Sequence, residues 1–395
     1  MPEVAPLNVC FVAGTLEHGG AERQLFHMLQ ALCQCGVGVR LLCLDRGKFW
    51  EEPIRSLGVS VTWVGQHPSR LARLLRVLRE LRVDPPDLVQ SQHFFANAYV
   101  ALSARLLGIG GIGAIRNEGA AEVQKNGPLG GRLNLRLPRL LAANSRIGMW
   151  QAIEFGVSPA RLYFLPNVVD TQHFKPAEGT VKRPLTLLAV GRIVKEKRLD
   201  RFITALGRLR TELRLDVRGW IAGPVQDRHH LQELEALAAG LGLLPAHLRF
   251  LGGVANMRPL YQQADICVLT SDFEGTPNAL LEAMASGLPA MATNVGGVPD
   301  IVRHGRTGFI VDRQDKEGLV LALAELVKDC PGRREMGRRA REFVQAEHSV
   351  ERLPAYLAKL YALALPARCH GQLKRLGDKP ALRLESAVQL RRAQA

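Results

Sequence analysis

The stretch SDFEGTPNALLEAMASGLP, residues 271–289, places two glutamates and a Gly-Thr-Pro turn directly after the apolar run ADICVLT. Thr276 is a favourable helix N-cap, and Pro277 suits the first helical position. The pattern of ALLEAMAS is helical, and Gly287 and Pro289 end it. The stretch therefore predicts a strand, a loop and a helix whose N-terminus favours an anion. The two flanking carboxylates favour a ligand that carries hydroxyl groups.

Short apolar runs alternate with helical patterns along the whole chain. The predicted strands are LNVCFVAG, VRLLCL, VSVTWVG, DLVQS, GAIRN and LLAANS in the first half and TLLAVGR, RGWIAGP, LRFLGG, ICVLTS, PAMATN and TGFIVD in the second. Such alternation indicates parallel sheets with helices on both faces. We therefore predict an α/β fold of two doubly wound domains, which bind ligands in a cleft at the carboxyl ends of their strands.

A segment rich in proline and polar residues, 166–184, separates the two halves. The predicted N-terminal domain is 1–167, and the predicted C-terminal domain is 168–348. Residues 349–365 form a helix that we expect to pack back on the N-terminal domain. The remainder, 366–395, carries seven Lys and Arg against two acids, and we expect it to be a mobile basic tail.

The composition limits the classes of partner. The 395 residues are 47% hydrophobic and 23% charged, with a net charge of +15. Such a balance favours anionic partners such as nucleotides, phosphorylated substrates or an acidic membrane face. Aromatic residues are only 6%, and no basic run is interleaved with them, so nucleic acid is a weak option.

The seven cysteines form no CxxC pair, so we expect neither a zinc site nor a disulfide framework. Reduced cysteines suit a cytosolic protein. The N-terminus MPEVAPLNVCFVAG lacks the pattern of a signal peptide, and no apolar run approaches the about 18 residues of a membrane span.

Two loops that follow strands could hold a phosphate. VAGTLEHGGAERQ contains Gly14, Gly19 and Gly20 before a helix, although it is neither GxGxxG nor a P-loop. VGRIVKEKRLD places Arg192 at the end of a strand and Lys197 in the next loop, and both cations can bind phosphate oxygens. A plain turn and ordinary surface cations remain the alternatives.

Other polar side chains follow predicted strands: His18, His93, Arg116, Asn117 and the ANS triplet at 143–145. A lone histidine is more often structural than functional. His93, in VQSQHFFANA, is better placed than His18, because it would lie in the predicted cleft.

These motifs, taken in order, resemble glycosyltransferase family 4. The resemblance rests on GGAER, ANS, LPNVVDTQHFKP, GRIVKEK, FEGTPNALLEAMASGLP and GGVPDIVRHGRTGFIVD, and it extends to about residue 365. It implies the GT-B fold, with two Rossmann-like domains facing across a cleft, and transfer from a nucleotide-sugar with retention of anomeric configuration. The GGAER version is similar to that of bacterial polysaccharide transferases.

The resemblance also implies roles for residues. Arg192 and Lys197 would hold the diphosphate, Glu282 the ribose hydroxyls and Glu274 the donor sugar. His93 would contact the sugar near the reacting centre, and the loop of Gly20 would close on the phosphates. The implied catalytic residues are Glu274, His93, Arg192 and Lys197. The implied nucleotide-sugar-binding residues are Gly20, Gly191, Arg192, Lys197, Gly275, Thr276, Pro277, Asn278, Ala279 and Glu282.

Two positions depart from the family pattern. Val168 stands in LPNVVD where the family usually has glycine, so that turn is expected to differ. Arg198 replaces a common glycine after Lys197, and we expect it to add charge beside the diphosphate.

The predicted activity is transfer of a sugar from a UDP- or GDP-linked donor, with no other cofactor, to a glycan or polyprenyl-linked acceptor. No metal is expected, because the cations are part of the chain and no DxD-like pair ends a strand. We expect the protein in the cytoplasm, at the cytoplasmic face of the inner membrane. The alternatives are a non-catalytic nucleotide-sugar-binding protein and an NAD-dependent oxidoreductase, although the latter lacks its fingerprint.

SRLARLLRVLRELR, residues 69–82, is an unusually basic helical pattern. Five arginines fan over one side, namely Arg70, Arg73, Arg76, Arg79 and Arg82. The other side carries Leu71, Leu74, Leu75, Leu78 and Leu81. Either the leucines cover the sheet while the arginines face water, or the basic face rests on an anionic membrane.

Overall fold

The computed structural model describes residues 6–66, 69–117, 122–124, 126–178 and 184–378. The chain forms two compact units. The first is Met1–Val168 together with Val350–Ala395, and the second is Val169–Ser349. The first break lies one residue from the predicted boundary between 167 and 168, inside the segment rich in proline and polar residues.

The first unit is built on a parallel sheet of seven strands. Its strands are β1 Asn8–Ala13, β2 Gly38–Cys43, β3 Ser60–Trp63, β4 Leu88–Ser91, β5 Gly110–Ile115, β6 Leu140–Ala143 and β7 Leu162–Phe164. Their order is β3-β2-β1-β4-β5-β6-β7, and every pair is parallel. The order reverses between β1 and β4. Loops after these two strands therefore diverge to opposite faces and leave a crevice between them.

Helices connect the strands of this sheet. They are α1 Gly20–Gln34, α2 Glu51–Arg55, α3 Arg70–Val83, α4 Asn97–Leu107, α5 Pro128–Arg136 and α6 Arg146–Glu154. Aliphatic side chains from both faces of the sheet are buried beneath them, as the continuous apolar runs of the strands require.

The second unit repeats the architecture with six parallel strands. They are β8 Leu185–Val190, β9 Val217–Ala222, β10 Leu248–Gly252, β11 Ile266–Leu269, β12 Ala290–Thr293 and β13 Gly308–Val311. The helices are α7 Leu199–Thr211, α8 Arg228–Gly240, α9 Arg258–Gln263, α10 Asn278–Ala285, α11 Val298–Ile301, α12 Lys316–Lys328 and α13 Cys330–Glu347. The sheet order is β10-β9-β8-β11-β12-β13, so it reverses between β8 and β11.

The sequence predicts twelve strands, and each overlaps an observed one. The additional strand is β7, which has three residues and forms the edge of the first sheet. A run this short carries no periodic signal, and its pairing with β6 is what identifies it.

The chain returns to the first unit after Ser349. There it forms α14, Leu353–Ala362, and α15, His370–Asp378. The hydroxyl of Tyr361 on α14 donates to Gln90 Oε1 at 3.0 Å. The helix α15 contradicts the expected mobile tail for residues 366–378, because Leu373 and Leu376 are buried in the core of the first unit. The rest of the expected tail, 379–395, lies outside the described residues.

All seven cysteines are free, as predicted. Burial raises the pKa of Cys10 and of Cys267 to about 12, with the Glu282 charge contributing at Cys267, so both thiols stay protonated. Over the described ranges, no helix has the combined length and apolar character that crossing a bilayer requires.

Candidate active site

The loops after β8 and β11 are joined to each other where the order of the second sheet reverses. The backbone N–H of Asp272 donates to the carbonyl of Glu196 at 2.9 Å. The hydroxyl of Thr270 donates to the carbonyls of Lys197 and Arg198 at 3.1 and 2.9 Å. The predicted phosphate-binding loop and the loop of the FEGTP motif therefore form one surface, at the position where doubly wound folds bind ligands.

Lys197 and Glu274 form an ion pair on this surface. Lys197 Nζ lies 2.5 Å from Glu274 Oε1, and the two side chains are 20% and 10% exposed. The hydroxyl of Ser271 donates to the same carboxylate oxygen at 2.6 Å. The aliphatic part of Lys197 passes over Gly191, where the position of a Cβ would lie 3.4 Å from its Cδ and Cε. A larger side chain at Gly191 would press on the lysine.

Arg192 projects into solvent two residues after the end of β8. Its Nη1 donates to Gln226 Oε1 at 3.0 Å. Within the described part of the chain it has no acidic partner, so its charge is available to an incoming anion.

Glu282 lies on α10 and is almost fully buried. The hydroxyl of Tyr261, on α9, donates to its Oε2 at 2.9 Å. This bond fixes the carboxylate, and it holds α9 against α10 because both side chains are buried.

The helix α10 begins later than the sequence predicts. The N-cap is Pro277 rather than Thr276, and the first helical residue is Asn278. Pro277 has a ψ of 107°, which is extended, so the helix cannot start at this residue. Its end agrees with the prediction, because Gly287 adopts the left-handed conformation, with a φ of +83°, and its N–H donates to the carbonyl of Met284 at 3.0 Å.

Around this N-terminus lie the other predicted donor-binding residues. Gly275, Thr276 and Pro277 form the loop, and Asn278 and Ala279 begin the helix. Their backbone groups lie at the N-terminus of α10, which is the positive end of the helix dipole.

Gly296 supports the loop from a neighbouring turn, and the sequence analysis assigned it no role. Its φ is +50°, and a Cβ there would come within 1.8 Å of the carbonyl oxygen of Glu274. The next residue, Gly297, donates its N–H to the carbonyl of Gly275 at 2.7 Å. The signal in the sequence is the Gly-Gly pair of GGVPD, because only glycine permits this approach.

Arg198 does not add a free charge to the site, contrary to expectation. Its guanidinium contacts Asp200 and Asp272, at 2.9 and 3.2 Å. Arg201 also contacts Asp272, at 2.8 Å. Arg198 has a φ of +47°, which explains why glycine is usual at this position and why the arginine needs stabilising contacts.

In the first unit, His93 lies where the sheet order reverses between β1 and β4. The backbone N–H of Gly14 donates to His93 Nδ1 at 3.0 Å. His93 Nε2 lies 3.0 Å from Glu22 Oε1. Because Nδ1 accepts a hydrogen bond, the geometry assigns the ring proton to Nε2, which donates it to Glu22. The ring is thereby held by a strand end and by the first turn of α1.

Glu22 is a site residue that the sequence analysis missed. It is buried, and its Oε2 would lie 2.3 Å from a Cβ placed on Gly19, the N-cap of α1. Gly20 is the first residue of that helix. An acid in the first turn suits the helix dipole, so the pattern GGAER contains a signal for it. The closing of the Gly20 loop on phosphate stays a prediction.

Three further candidates have structural contacts. His18 packs edge-on against Phe49, with ring centroids 4.7 Å apart. Asn117 donates to Glu122 Oε1 at 2.6 Å. Arg116 is buried, which lowers its pKa to about 10, and its nearest acceptor oxygen is Gln92 Oε1 at 3.4 Å.

The remaining motifs stabilise the end of the first unit. Asn144 donates to the carbonyl of Arg116 at 3.1 Å, and Ser145 caps α6. Val168 exchanges two hydrogen bonds of 2.8 Å with the side chain of Gln24, so a side chain at 168 is accommodated where the family usually has glycine.

The predicted site residues thus fall into two groups. Gly20 and His93 belong to the first unit. The second unit contains Gly191, Arg192, Lys197, Glu274, Gly275, Thr276, Pro277, Asn278, Ala279 and Glu282. Within the described residues, no group of three His, Cys, Asp or Glu side chains could hold a metal ion.

Two family profiles match the chain. Residues 18–173 match "Glycosyltransferase Family 4", and residues 170–343 match "Glycosyl transferases group 1". The second match contains Arg192, Lys197, Glu274 and Glu282, and the first contains His93.

Curated relatives include glycosyltransferases with different named specificities. The GDP-mannose-dependent alpha-(1-6)-phosphatidylinositol monomannoside mannosyltransferase of Mycobacterium tuberculosis is 33% identical over 50% of this chain and 55% of its own length. The lipopolysaccharide core biosynthesis glycosyltransferase LpsE of Rhizobium meliloti is 25% identical over 87% of this chain and 96% of its own length. The alignments span only about half the length of the first curated relatives.

Solved structures share the fold. Anabaena HepE in complex with UDP and glucose has a TM-score of 0.78 and 18% identity, covering 90% of this chain and 99% of its own. The lipopolysaccharide outer core galactosyltransferase WaaB in its apo form has a TM-score of 0.73 and 17% identity, covering 91% and 99%. The fold is therefore GT-B, and together with the two profile matches these findings support a glycosyltransferase of the family 4 type.

Proposed function

We propose that this protein is a retaining glycosyltransferase that moves a sugar from a nucleotide-diphosphate donor to a glycan or lipid-linked acceptor in the synthesis of a bacterial cell-surface polysaccharide. The donor is UDP- or GDP-linked. The observation that carries the proposal is the Lys197–Glu274 pair beside the N-terminus of α10, at the reversal point of the second sheet.

The two members of this pair complement different parts of one nucleotide-sugar. An ammonium group binds a diphosphate, and a carboxylate accepts hydrogen bonds from sugar hydroxyls. Before the donor binds, each charge neutralises the other, which lowers the cost of keeping both largely buried. Donor binding replaces that contact with two complementary ones.

Bond cleavage places negative charge on the leaving diphosphate. Arg192, Lys197 and the N-terminus of α10 are positive groups at this site, so once the donor is bound they stabilise this charge. The bond between the anomeric carbon and the phosphate oxygen breaks, and a glycosidic bond to the acceptor oxygen forms. In the retaining pathway the acceptor attacks from the face that the diphosphate leaves, and its proton passes to the departing phosphate oxygen.

Glu282 and His93 supply the remaining donor contacts in this proposal. Glu282, fixed by Tyr261, binds the ribose hydroxyls. His93, held by Gly14 and Glu22, contacts the transferred sugar. No metal takes part, because the chain itself provides the cations.

A donor screen tests the proposal. The purified full chain is incubated with NAD and with a panel of UDP- and GDP-sugars, and thermal stabilisation and release of nucleoside diphosphate are measured with and without a glycan acceptor. Stabilisation by one donor and acceptor-dependent release are expected. Binding without turnover under all conditions would favour the non-catalytic alternative, and binding of NAD alone would favour the oxidoreductase.

The stereochemistry of the product needs its own measurement. Nuclear magnetic resonance of the product formed from an α-linked donor is expected to show an α-glycoside. A β-glycoside would refute retention and leave the transferase activity in place.

A further inference from the structure

Two neighbouring helices of the first unit expose leucines to water. On α3, Leu81 is buried and Leu74 and Leu78 are half-buried, so three of the five leucines face inward as expected, whereas Leu71 and Leu75 do not. Leu71 and Leu75 are 64% and 58% exposed. On α5, Leu129 and Leu133 are 75% and 44% exposed.

The two helices adjoin at their N-terminal ends. A Cβ placed on Gly130 of α5 would lie 3.7 Å from Nη1 of Arg70, the first residue of α3. The exposed leucines of the two helices begin one residue from this contact, at Leu71 and Leu129. They therefore belong to one surface.

Arginines continue the same two stripes. On α3, Leu71 and Leu75 are followed on the same helical face by Arg79 and Arg82, and on α5 Leu129 and Leu133 alternate with Arg132 and Arg136. We call this set the leucine–arginine face: Arg70, Leu71, Leu75, Arg79, Arg82, Leu129, Arg132, Leu133 and Arg136.

The face has almost no negative charge. The acidic residue of α3 is Glu80, whose Oε1 forms an ion pair with Nη2 of Arg76 at 3.1 Å, and α5 contains no acidic residue. Arg70, Arg79, Arg82 and Arg132 have no acidic partner in the described part of the chain. Arg73 and Arg76 are half-buried and do not belong to the face.

We propose that the leucine–arginine face docks on an anionic lipid bilayer, with its leucines in the interfacial region and its arginines among the headgroups. Exposed apolar side chains flanked by cations are what such a surface binds. A second copy of this chain is disfavoured, because two like-charged faces would repel each other. The inference rests on the proposed function only for the reason why the protein would bind a membrane, which is access to a lipid-linked acceptor.

The leucines change the expected strength of binding. A purely electrostatic contact is lost when salt screens it, whereas burial of apolar surface is not. Binding should therefore require anionic lipid for its full strength and should retain a fraction at high salt.

Vesicle co-sedimentation of the full chain tests this proposal. The probe is a vesicle of equal parts phosphatidylcholine and phosphatidylglycerol, compared with phosphatidylcholine alone, at low and high salt. The wild type is expected to sediment with the anionic vesicles and to be released only in part by salt. A variant with Leu71, Leu75, Leu129 and Leu133 replaced by Gln should bind about tenfold or more weakly and lose the salt-resistant fraction.

Two further variants make the result specific. Replacing Arg70, Arg79 and Arg82 by Gln should remove the preference for anionic vesicles. Leu321→Gln is the matched control, because Leu321 is 57% exposed on α12 of the second unit, and it should bind as the wild type does. Circular dichroism checks that each variant is folded.

The proposal is overturned if the wild type ignores anionic vesicles at low salt, or if the leucine variant binds normally. Sedimentation velocity without lipid excludes the competing explanation: a self-association that the leucine variant abolishes would identify a contact between copies instead. Donor hydrolysis is measured in parallel without vesicles. Absence of donor hydrolysis would refute the proposed function. The docking surface would still be tested by the binding to vesicles.

Discussion

The ammonium group of Lys197 and the carboxylate of Glu274 lie 2.5 Å apart, from Nζ to Oε1, where the order of the second sheet reverses. They come from different loops, 77 residues apart in the sequence. The neighbouring strands β8 and β11 bring those loops together, and a hydrogen bond from the N–H of Asp272 to the carbonyl of Glu196 holds them there. In the proposed function, this cation binds the diphosphate and this anion the sugar hydroxyls of one donor molecule.

Removing either diphosphate-binding cation should cripple transfer. Arg192→Ala and Lys197→Ala each delete a charge-assisted contact worth about 1.5–3 kcal/mol. Because this contact should stabilise the transition state more than the bound donor, we expect a loss of about a hundredfold in kcat/KM. Lys195→Ala is the matched control, because Lys195 is an exposed cation of the same loop. Near-normal turnover in folded Arg192→Ala would refute the diphosphate assignment.

Glu274 and Glu282 should affect different kinetic constants. Ribose is remote from the bond that breaks, so Glu282→Ala should mainly raise KM for the donor, whereas Glu274→Ala should mainly lower kcat. Tyr261→Phe removes one hydrogen bond to Glu282 and should raise KM by a smaller factor, about five- to tenfold. Steady-state kinetics with varied donor decide this, and a change confined to KM in all three variants would contradict the division of roles.

Glu22 should act through His93. The two lie 3.0 Å apart, and Glu22 fixes the ring that Gly14 binds on its other side. We expect Glu22→Ala and His93→Ala each to lower kcat about tenfold or more, and the double variant to be little worse than either. Glu22→Gln, which still accepts a hydrogen bond, should retain more activity. Additive losses at unchanged thermal stability would show that the two residues act independently.

The sequence predicts the fold well because burial in a doubly wound sheet is encoded locally. Each long strand is a continuous apolar run, and the helices between them are periodic, so twelve strands could be placed. The edge strand β7 was not predicted, because a strand of three residues is too short to show a periodic pattern. The start of α10 was misplaced by one residue, because the backbone of Pro277 decides it.

Pairings across the chain could not be predicted in the same way. Residue types and motif order identify Lys197 and Glu274 as candidates, but nothing local indicates that they contact each other. Arg198 was wrongly expected to add charge beside the diphosphate, since it contacts Asp200 two residues away and Asp272 74 residues away. The exposure of Leu71 and Leu75 could not be predicted, because the leucine pattern of α3 does not show which leucines its neighbours cover.

Metal removal should leave transfer unchanged. The proposed site neutralises the leaving diphosphate with Arg192, Lys197 and the N-terminus of α10, so excess chelator should not alter the rate. A metal-dependent transferase assayed in the same buffer is the positive control. Loss of activity with chelator and its recovery with manganese would refute the metal-free mechanism.

The stability of the first unit should fall as the pH drops below about 6.5, because of His27 on α1. Burial, with a contribution from Arg23, lowers the pKa of His27 to about 3, and its Nδ1 is buried without a partner among the described residues. In the unfolded chain the pKa of His27 has its ordinary value of about 6.5. Below that pH the unfolded state therefore binds a proton that the folded state does not bind. The stabilising contribution is complete above pH 6.5 and is lost progressively towards pH 3.

From pKa values of about 3 in the folded chain and about 6.5 in the unfolded chain, we expect a loss of about 1–2 kcal/mol between pH 6.5 and pH 5. Thermal unfolding followed by tryptophan fluorescence reports mainly on the first unit, since three of the four tryptophans, Trp50, Trp63 and Trp150, lie there. His27→Gln removes the titrating group, so its melting temperature should depend less on pH than that of the wild type. His229→Gln, at an exposed histidine of the second unit, should retain the wild-type dependence. If the melting temperatures of His27→Gln and the wild type depend equally on pH, another group is responsible for the loss of stability at acidic pH.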